Sequence, residues 1–263
     1  MNRKLNLYIF AALILLAVMF ISLYFTYKEK PLFSLNENKY YLKNVDEFKK
    51  VYLKVNRIDS MYSTSAAYEI IKNNIILQLC AESGADTSYS EFQIYTNMLS
   101  SESGLSGLID SINELFGEEL SYKHFLKPLI AQNLLSDRIS KDKLKIQKER
   151  YSEALNIFNK WKGLEVVKEL LSPSAEYFLQ KAENIADSSF TDKKQFYEDN
   201  IYYYIALREK DFIRGYRVKK VDFDEYAMLF KDKYKLKFYD KSYERAFLLL
   251  SEGSLWRELV KLE

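Results

Sequence analysis

The spacing of apolar residues changes period twice along the chain. From Leu5 to Tyr27 no charged residue occurs, and Ile9 to Phe20 is almost wholly aliphatic or aromatic. About 20 such residues, rising 1.5 Å each, cross a hydrocarbon layer of roughly 30 Å, so this stretch predicts a transmembrane helix. Tyr24 and Tyr27 stand near its far end, where amphipathic rings favour the membrane interface. Pro31 to Lys54 reads as a tether followed by a short strand or helix, and Val51 to Val55 alternates as a strand does.

From Thr64 the period becomes helical. Ala67, Ile70, Ile71, Ile75, Leu79 and Cys80 share one face, and Gly84 is placed to end that helix. Ser88 and Glu91 have capping-box spacing ahead of a Phe92, Tyr95, Leu99 stripe. Leu105, Leu108, Ile109, Ile112, Leu115 and Phe116 form the cleanest amphipathic series, closed by Gly117. Ser121 opens a further helix with Phe125, Leu129, Ile130 and Leu134 inward, and Pro128 within it predicts a kink or a delayed start. A charged helix follows from Ser140 to about Lys160, its apolar stripe Leu144, Tyr151, Leu155 and Phe158.

Beyond Gly163 the pattern is mixed. Leu164 to Leu171 and Ser174 to Ala186 read as helices, with Ser172 or Ser174 available to cap the second. Ile201 to Leu207 is rich in β-formers and apolar on both faces, as a buried strand is. Tyr216 to Val221 is a second strand, Asp222 to Lys233 a helix, and Lys235 to Phe238 alternates again. Ser242 to Leu250 is helical up to Gly253.

The apolar leader has bulky residues (Tyr24, Phe25, Tyr27) where a cleaved signal peptide needs small ones, so an uncleaved anchor is expected. Arg3 and Lys4 precede it; Lys28 and Lys30, offset by Glu29, follow it. That bias predicts a cytoplasmic N-terminus and an extracytoplasmic C-terminal domain at the cell (inner) membrane.

Formal net charge is +2, from 39 Lys and Arg against 37 Asp and Glu, and indicates no nucleic-acid partner. Cys80 is the only cysteine and His124 the only histidine. An intrachain disulfide and a zinc site of Cys and His ligands are therefore excluded. Any Ser-His-Asp or Cys-His apparatus has only His124 to draw on, in a helix first turn beside Lys123. The seven glycines form no phosphate-cradling loop or dinucleotide fingerprint. No catalytic, cofactor-binding or metal-binding residue is assigned, and no cofactor is expected.

Residues 64–139 resemble the N-terminal domain of extracytoplasmic chaperones of the SurA, PpiD and PrsA type. The resemblance rests on Ile75 to Ala81, Gly84, Ser88 with Glu91, the short helix through Leu115, Gly117 with Ser121 and Phe125, and a closing helix through Leu134, Leu135 and Ile139. That family follows this domain with a parvulin-type prolyl isomerase domain and a returning C-terminal segment. Ser152 to Gly163 and on to Leu171 looks like the parvulin helix, glycine and second helix. Phe212 to Val221 is similar to its last strand, which usually reads Gly-Tyr-His-Ile-Ile, and Phe223 to Tyr239 looks like the returning helix and strand. Two departures stand out. The parvulin Gly-Gly-Asp-Leu-Gly segment is missing, since no glycine occurs between Gly163 and Gly215, and the usual histidine is Arg217.

The fold expected is thus mainly α with a small β component: a cytoplasmic tail (1–4), a transmembrane anchor (5–27), a tether and entry segment (28–54), a SurA N-terminal-like helical domain (55–141), a degenerate parvulin-like α+β region (142–222) and a returning helix and strand segment (223–263). The resemblance implies a membrane-anchored chaperone for unfolded or nascent secreted polypeptides, held in lipid by residues 5–27. Alternatives are an active prolyl isomerase and an envelope-complex assembly scaffold. A holdase needs exposed apolar and aromatic surface, and 16% of the residues are aromatic, Tyr the most frequent.

Overall fold

The computed structural model describes residues 15–20, 30–85, 97, 106–140, 144–163, 166–181 and 193–263. Among these the chain is mainly α, with two four-stranded sheets. Residues 15–20 are helical, with Leu15, Leu16, Val18, Met19 and Phe20 all exposed. No helix of the described residues is long and apolar enough to cross a membrane, and most of the expected 5–27 span lies outside them. So does the Ser88 to Leu99 capping box and stripe, apart from Asn97.

The chain divides into two compact units. The first takes residues 1–78, 86–131 and 230–263. It opens with a hairpin of β1 (Phe33–Leu35) and β2 (Asn38–Tyr40). Asn36 turns it in the left-handed region, φ +54°, which asparagine tolerates better than most residues. The same residue ties in the C-terminal segment: its N–H donates to the Lys235 carbonyl at 2.6 Å, and its Oδ1 accepts from the Lys235 N–H at 2.9 Å. The resulting sheet runs β2-β1-β7-β8, with β7 (Tyr234–Phe238) antiparallel to β1 and β8 (Val260–Leu262) parallel to β7. The helices α8 (Lys241–Leu250) and α9 (Leu255–Leu259) fall between those last two strands.

Helix α1 (Leu42–Asn56) buries Val45, Phe48 and Val51, three residues apart along one face. The strand expected at Val51 to Val55 is therefore corrected. Five alternating β-formers are too few to outweigh a helical stripe already running through Val45 and Phe48. Helix α2 (Ser63–Glu82) buries the predicted face, from Ala67 to Cys80. It stops as Gly84 predicts: Gly84, φ +77°, bonds to the Ala81 carbonyl and Ala85 to that of Cys80, pairing two carbonyls the helix leaves open. Helix α3 (Ser106–Phe116) buries Ile109 and Ile112, while Leu115 is exposed.

The next helix starts at Glu118 rather than Ser121. It comprises α4 (Glu118–Ser121), a π-helical turn (Tyr122–Leu126) and α5 (Lys127–Ser140). The irregularity expected at Pro128 takes the form of that wide turn. Pro128 has no N–H to give the His124 carbonyl, and the Lys127 N–H reaches back five residues to Tyr122 O. The extra residue moves the buried stripe onto Leu126, Ile130 and Leu134; Phe125 and Leu129 are half-buried.

The second unit takes residues 79–85 and 132–229. Helix α6 (Lys145–Lys160) starts after a buried Leu144 and buries Gln147, Ala154 and Ile157; Tyr151 is exposed, and Leu155 and Phe158 are half-buried, which corrects the predicted stripe. With Trp161 this face packs on Tyr203, Ile205, Tyr216 and Val218. Lys194 closes the helix end, its ammonium donating to the Phe158 carbonyl and, at 2.7 Å, to that of Trp161.

The helix expected from Ser174 to Ala186 is corrected to β3 (Ala175–Lys181), and residues 182–186 lie outside the described set. Glu, Leu, Gln and Lys there favour a helix locally, but seven residues pair in register with β6 (Phe212–Lys219). The predicted Leu164–Leu171 helix is only a 3₁₀ turn at Lys168–Leu170 among the described residues. The buried strand at Ile201 to Leu207 is β5 (Tyr202–Glu209), and β4 (Gln195–Glu198) completes the antiparallel order β3-β6-β5-β4. Gly215 sits where β6 is squeezed between its neighbours: a Cβ there would lie 2.0 Å from the Ile205 carbonyl oxygen. The unit ends with α7 (Phe223–Met228), capped by Asp222, whose Oδ1 accepts from the Glu225 N–H at 2.8 Å.

Candidate functional site

Within the first unit, a cavity of about 410 Å³ opens between the hairpin, α1, α2 and the π turn. Its apolar floor is Phe48, Ile70, Leu77 and Pro128. Its polar lining is Asn38, Lys39, Tyr40, Asn44, Asn73, Asn74, Lys123, His124 and Lys127. That volume falls in the range of small-ligand sites, about 300–1,000 Å³, and an apolar floor with a few polar groups is their usual make-up.

Each element fixes its own contribution. Asn44 stands at the third position of α1, where its Oδ1 accepts from the Tyr41 N–H at 2.9 Å, and Asn74 Nδ2 donates to the Ile70 carbonyl at 2.7 Å. These bonds hold both amides by one end only. Tyr40 stacks on Phe33 with ring centroids 4.8 Å apart and 10° between planes. Burial pushes its hydroxyl up to about 12, so it is a neutral donor and acceptor.

His124 is the pivot of the site. The wide turn carries it against Phe48, ring edge to face, with centroids 5.8 Å apart. Its side chain is only 8% exposed. Burial, and then the neighbouring Lys123 charge, lower its pKa to about 4, against a smaller upward pull from Glu47. The imidazole is therefore neutral at physiological pH. Glu47 Oε2 lies 3.9 Å from His124 Nε2, too far for a hydrogen bond, and Nε2 has no hydrogen-bond partner. A buried nitrogen left unpaired costs about 1–3 kcal/mol.

The charge around it is lopsided. Glu47 is shared by Lys43 at 3.6 Å, Lys123 at 4.0 Å and His124. Lys39 and Lys127 line the cavity and form no ion pair among the described residues. Among the described residues no acidic side chain lines the cavity. The lining can offer hydrogen bonds and positive charge. No cluster of three metal-ligating side chains occurs among the described residues.

The positions singled out in the sequence lie elsewhere, except His124. Cys80 is fully buried. Arg217, where the resemblance puts a histidine, binds Glu176 Oε1 through Nε at 2.5 Å and lies over the Tyr202 ring at 4.6 Å. On the same sheet face Asp199 takes the Tyr204 hydroxyl at 3.0 Å and the N–H groups of Ile201 and Tyr202 at 2.7 Å. Burial raises the Asp199 pKa, but these hydrogen bonds outweigh it and the net shift is downward. This is the anchor of the turn into β5. Sequence reasoning missed Asn38, Tyr40, Asn73, Asn74 and Lys127. The one legible signal was the Asn73-Asn74 pair inside an otherwise apolar helical stretch.

Comparison with family models, with curated proteins and with solved structures gives no match to the chain.

Proposed function

We propose that the chain is a membrane-anchored extracytoplasmic chaperone that binds unfolded translocated polypeptides, with residues 5–27 as the anchor, the N-terminus cytoplasmic and the isomerase region degenerate. The observation that carries this is the cavity, whose apolar floor and amide and lysine rim suit a peptide: side chains meet the floor and backbone groups meet the amides. Three further features support it. The first unit joins residues 1–78 and 86–131 to the C-terminal 230–263, the return that the resemblance implies. A four-stranded antiparallel sheet spans 175–219, with Gly215 and Tyr216 in an inner strand. Arg217 is engaged with Glu176 rather than poised over a pocket. The exposed apolar side chains of residues 15–20 fit a segment whose proper solvent is lipid.

Anchoring raises the effective concentration of a weak binder where clients emerge. The test uses the full chain in lipid nanodiscs, mixed with a reduced, unfolded client protein. Stoichiometric amounts are expected to suppress client aggregation, measured by light scattering. A proline-limited refolding assay run beside it separates a holdase from an isomerase: acceleration at catalytic amounts would refute the degenerate-site proposal. Crosslinking in cells to one stoichiometric partner would favour a dedicated scaffold instead.

A further inference from the structure

We infer that the His124 cavity takes up a carboxylate carried on an apolar peptide segment, either the free C-terminus of an unfolded chain or an Asp or Glu within it. This rests on the chaperone proposal and names the chemistry that its cavity selects.

Three observations carry it. The first is His124 itself. More than nine-tenths of its side chain is buried, and Nε2 has no hydrogen-bond partner. Buried polar groups are as a rule paired, so an unpaired imidazole in the lining of a cavity is exceptional. The second is the charge imbalance: among the described residues Lys39, Lys123 and Lys127 line the cavity, and no carboxylate does. The nearest acid, Glu47, is already shared with Lys43 and Lys123. An anion entering beside Lys39 and Lys127 displaces no ion pair formed among the described residues. The third is the floor of Phe48, Ile70, Leu77 and Pro128, which gains nothing from a small inorganic ion and favours an apolar body attached to the charge.

The donor set narrows the anion. Among the described residues no arginine lines the cavity, so none of them supplies the bidentate fork that best matches phosphate. One imidazole and lysine point charges fit a group of single charge with two acceptor oxygens. Asn44 and Asn74 each hold one amide end back for their own helix, which leaves the other for a peptide backbone.

The test measures fluorescence polarisation of labelled apolar hexapeptides on the full chain in zwitterionic nanodiscs. Four peptides are compared: a free C-terminal acid, its C-terminal amide, and amidated versions with a central Glu or a central Gln. A charge-assisted hydrogen bond predicts that the acid binds about tenfold tighter than the amide. The Glu and Gln pair shows whether an internal carboxylate serves as well. In the Lys39→Met, Lys127→Met double variant the acid-to-amide ratio is expected to fall to about one, and in Lys241→Met, on the exposed start of α8, to stay at the wild-type value. Equal binding of acid and amide by the wild-type chain, together with equal binding of the Glu and Gln peptides, overturns the inference. So does a ratio that survives in the double variant, or competition for the cavity by phosphatidylglycerol vesicles with no peptide discrimination. If discrimination is absent while client aggregation is still suppressed, the carboxylate site falls and the chaperone proposal stands. If both are absent, both fall.

Discussion

Acid should loosen the first unit through a single side chain. His124 titrates at about 4 in the folded chain against an ordinary 6.5. Between those values the unfolded chain holds a proton that the folded one refuses, so falling pH favours unfolding. Stability is complete above pH 6.5, is lost as the pH drops towards 4, and loses nothing more from this group below that. The full shift is worth about 3 kcal/mol, and about 2 kcal/mol of it falls between pH 7 and pH 4.5. Replacing His124 by Leu removes the titration and keeps an apolar partner for Phe48. Urea titrations of the full chain in detergent, at both pH values, compare wild type with His124→Leu. Trp256, in α9 of the first unit, is the reporter, in a Trp161→Phe background carried by both proteins. Effects of acid on groups remote from His124 are common to the two proteins and cancel. The wild type should lose about 2 kcal/mol more than the variant on acidification. Equal losses would mean that His124 is protonated or solvated in the fold, and the argument from its burial would fail.

Two other substitutions probe the second unit. Gly215→Ala puts a Cβ 2.0 Å from the Ile205 carbonyl oxygen and 2.7 Å from Ala206 Cα, neither of which can move without breaking the β5–β6 ladder. A loss of about 3 kcal/mol or more is expected in urea unfolding, and a neutral result would mean that the strands are not paired in this register. Gln147→Leu removes the acceptor of the buried Val221 N–H, bonded at 2.7 Å, and the donor to the Tyr203 hydroxyl at 3.0 Å. It should cost about 2–4 kcal/mol despite adding apolar volume; Tyr203→Phe made on top of it should cost less than it does alone.

How far the sequence could be read depended on how local the deciding contacts are. The α3 stripe at Ile109 and Ile112 and the Gly84 stop follow from periods and caps within a dozen residues, and the structure has them. The strand Tyr202–Glu209 was legible because apolar residues stand on both its faces, Tyr203 and Ile205 in one cluster and Ala206 in another with Tyr204 against it. Val51 to Val55 misled because five residues suit either period, and only Val45 and Phe48 upstream decide for the helix. Ala175 to Lys181 misled because Glu, Leu, Gln and Lys prefer a helix, while the strand is imposed by β6, nearly 40 residues away. The cavity was hidden for the same reason. Its lining comes from β2, α1, α2 and the π turn, and no motif marks residues that meet only after folding.

The same remoteness constrains how the first unit can form. Strand β1 has β2 on one side, supplied by the next turn of chain, and β7 on the other, supplied by residues 234–238. Asn36 waits for Lys235 to satisfy both of its sheet-facing bonds. Closing a loop of that length costs only slowly growing entropy, but the search for it is slow. Until residues 230–263 arrive, β1 presents an unpaired edge, with Phe33 and Leu35 lacking the Phe238 and Leu236 that cover them in register. The sheet therefore stays incomplete until residues 230–263 have been added, after the second unit's residues 132–229 in the chain. The cavity borders on that sheet through Asn38, Lys39 and Tyr40. Stacking of Tyr40 on Phe33, whose other neighbour is Phe238, makes the cavity wall depend on the last part of the chain. On the proposed function, client binding at the cavity is in this way coupled to completion of the binder's own fold.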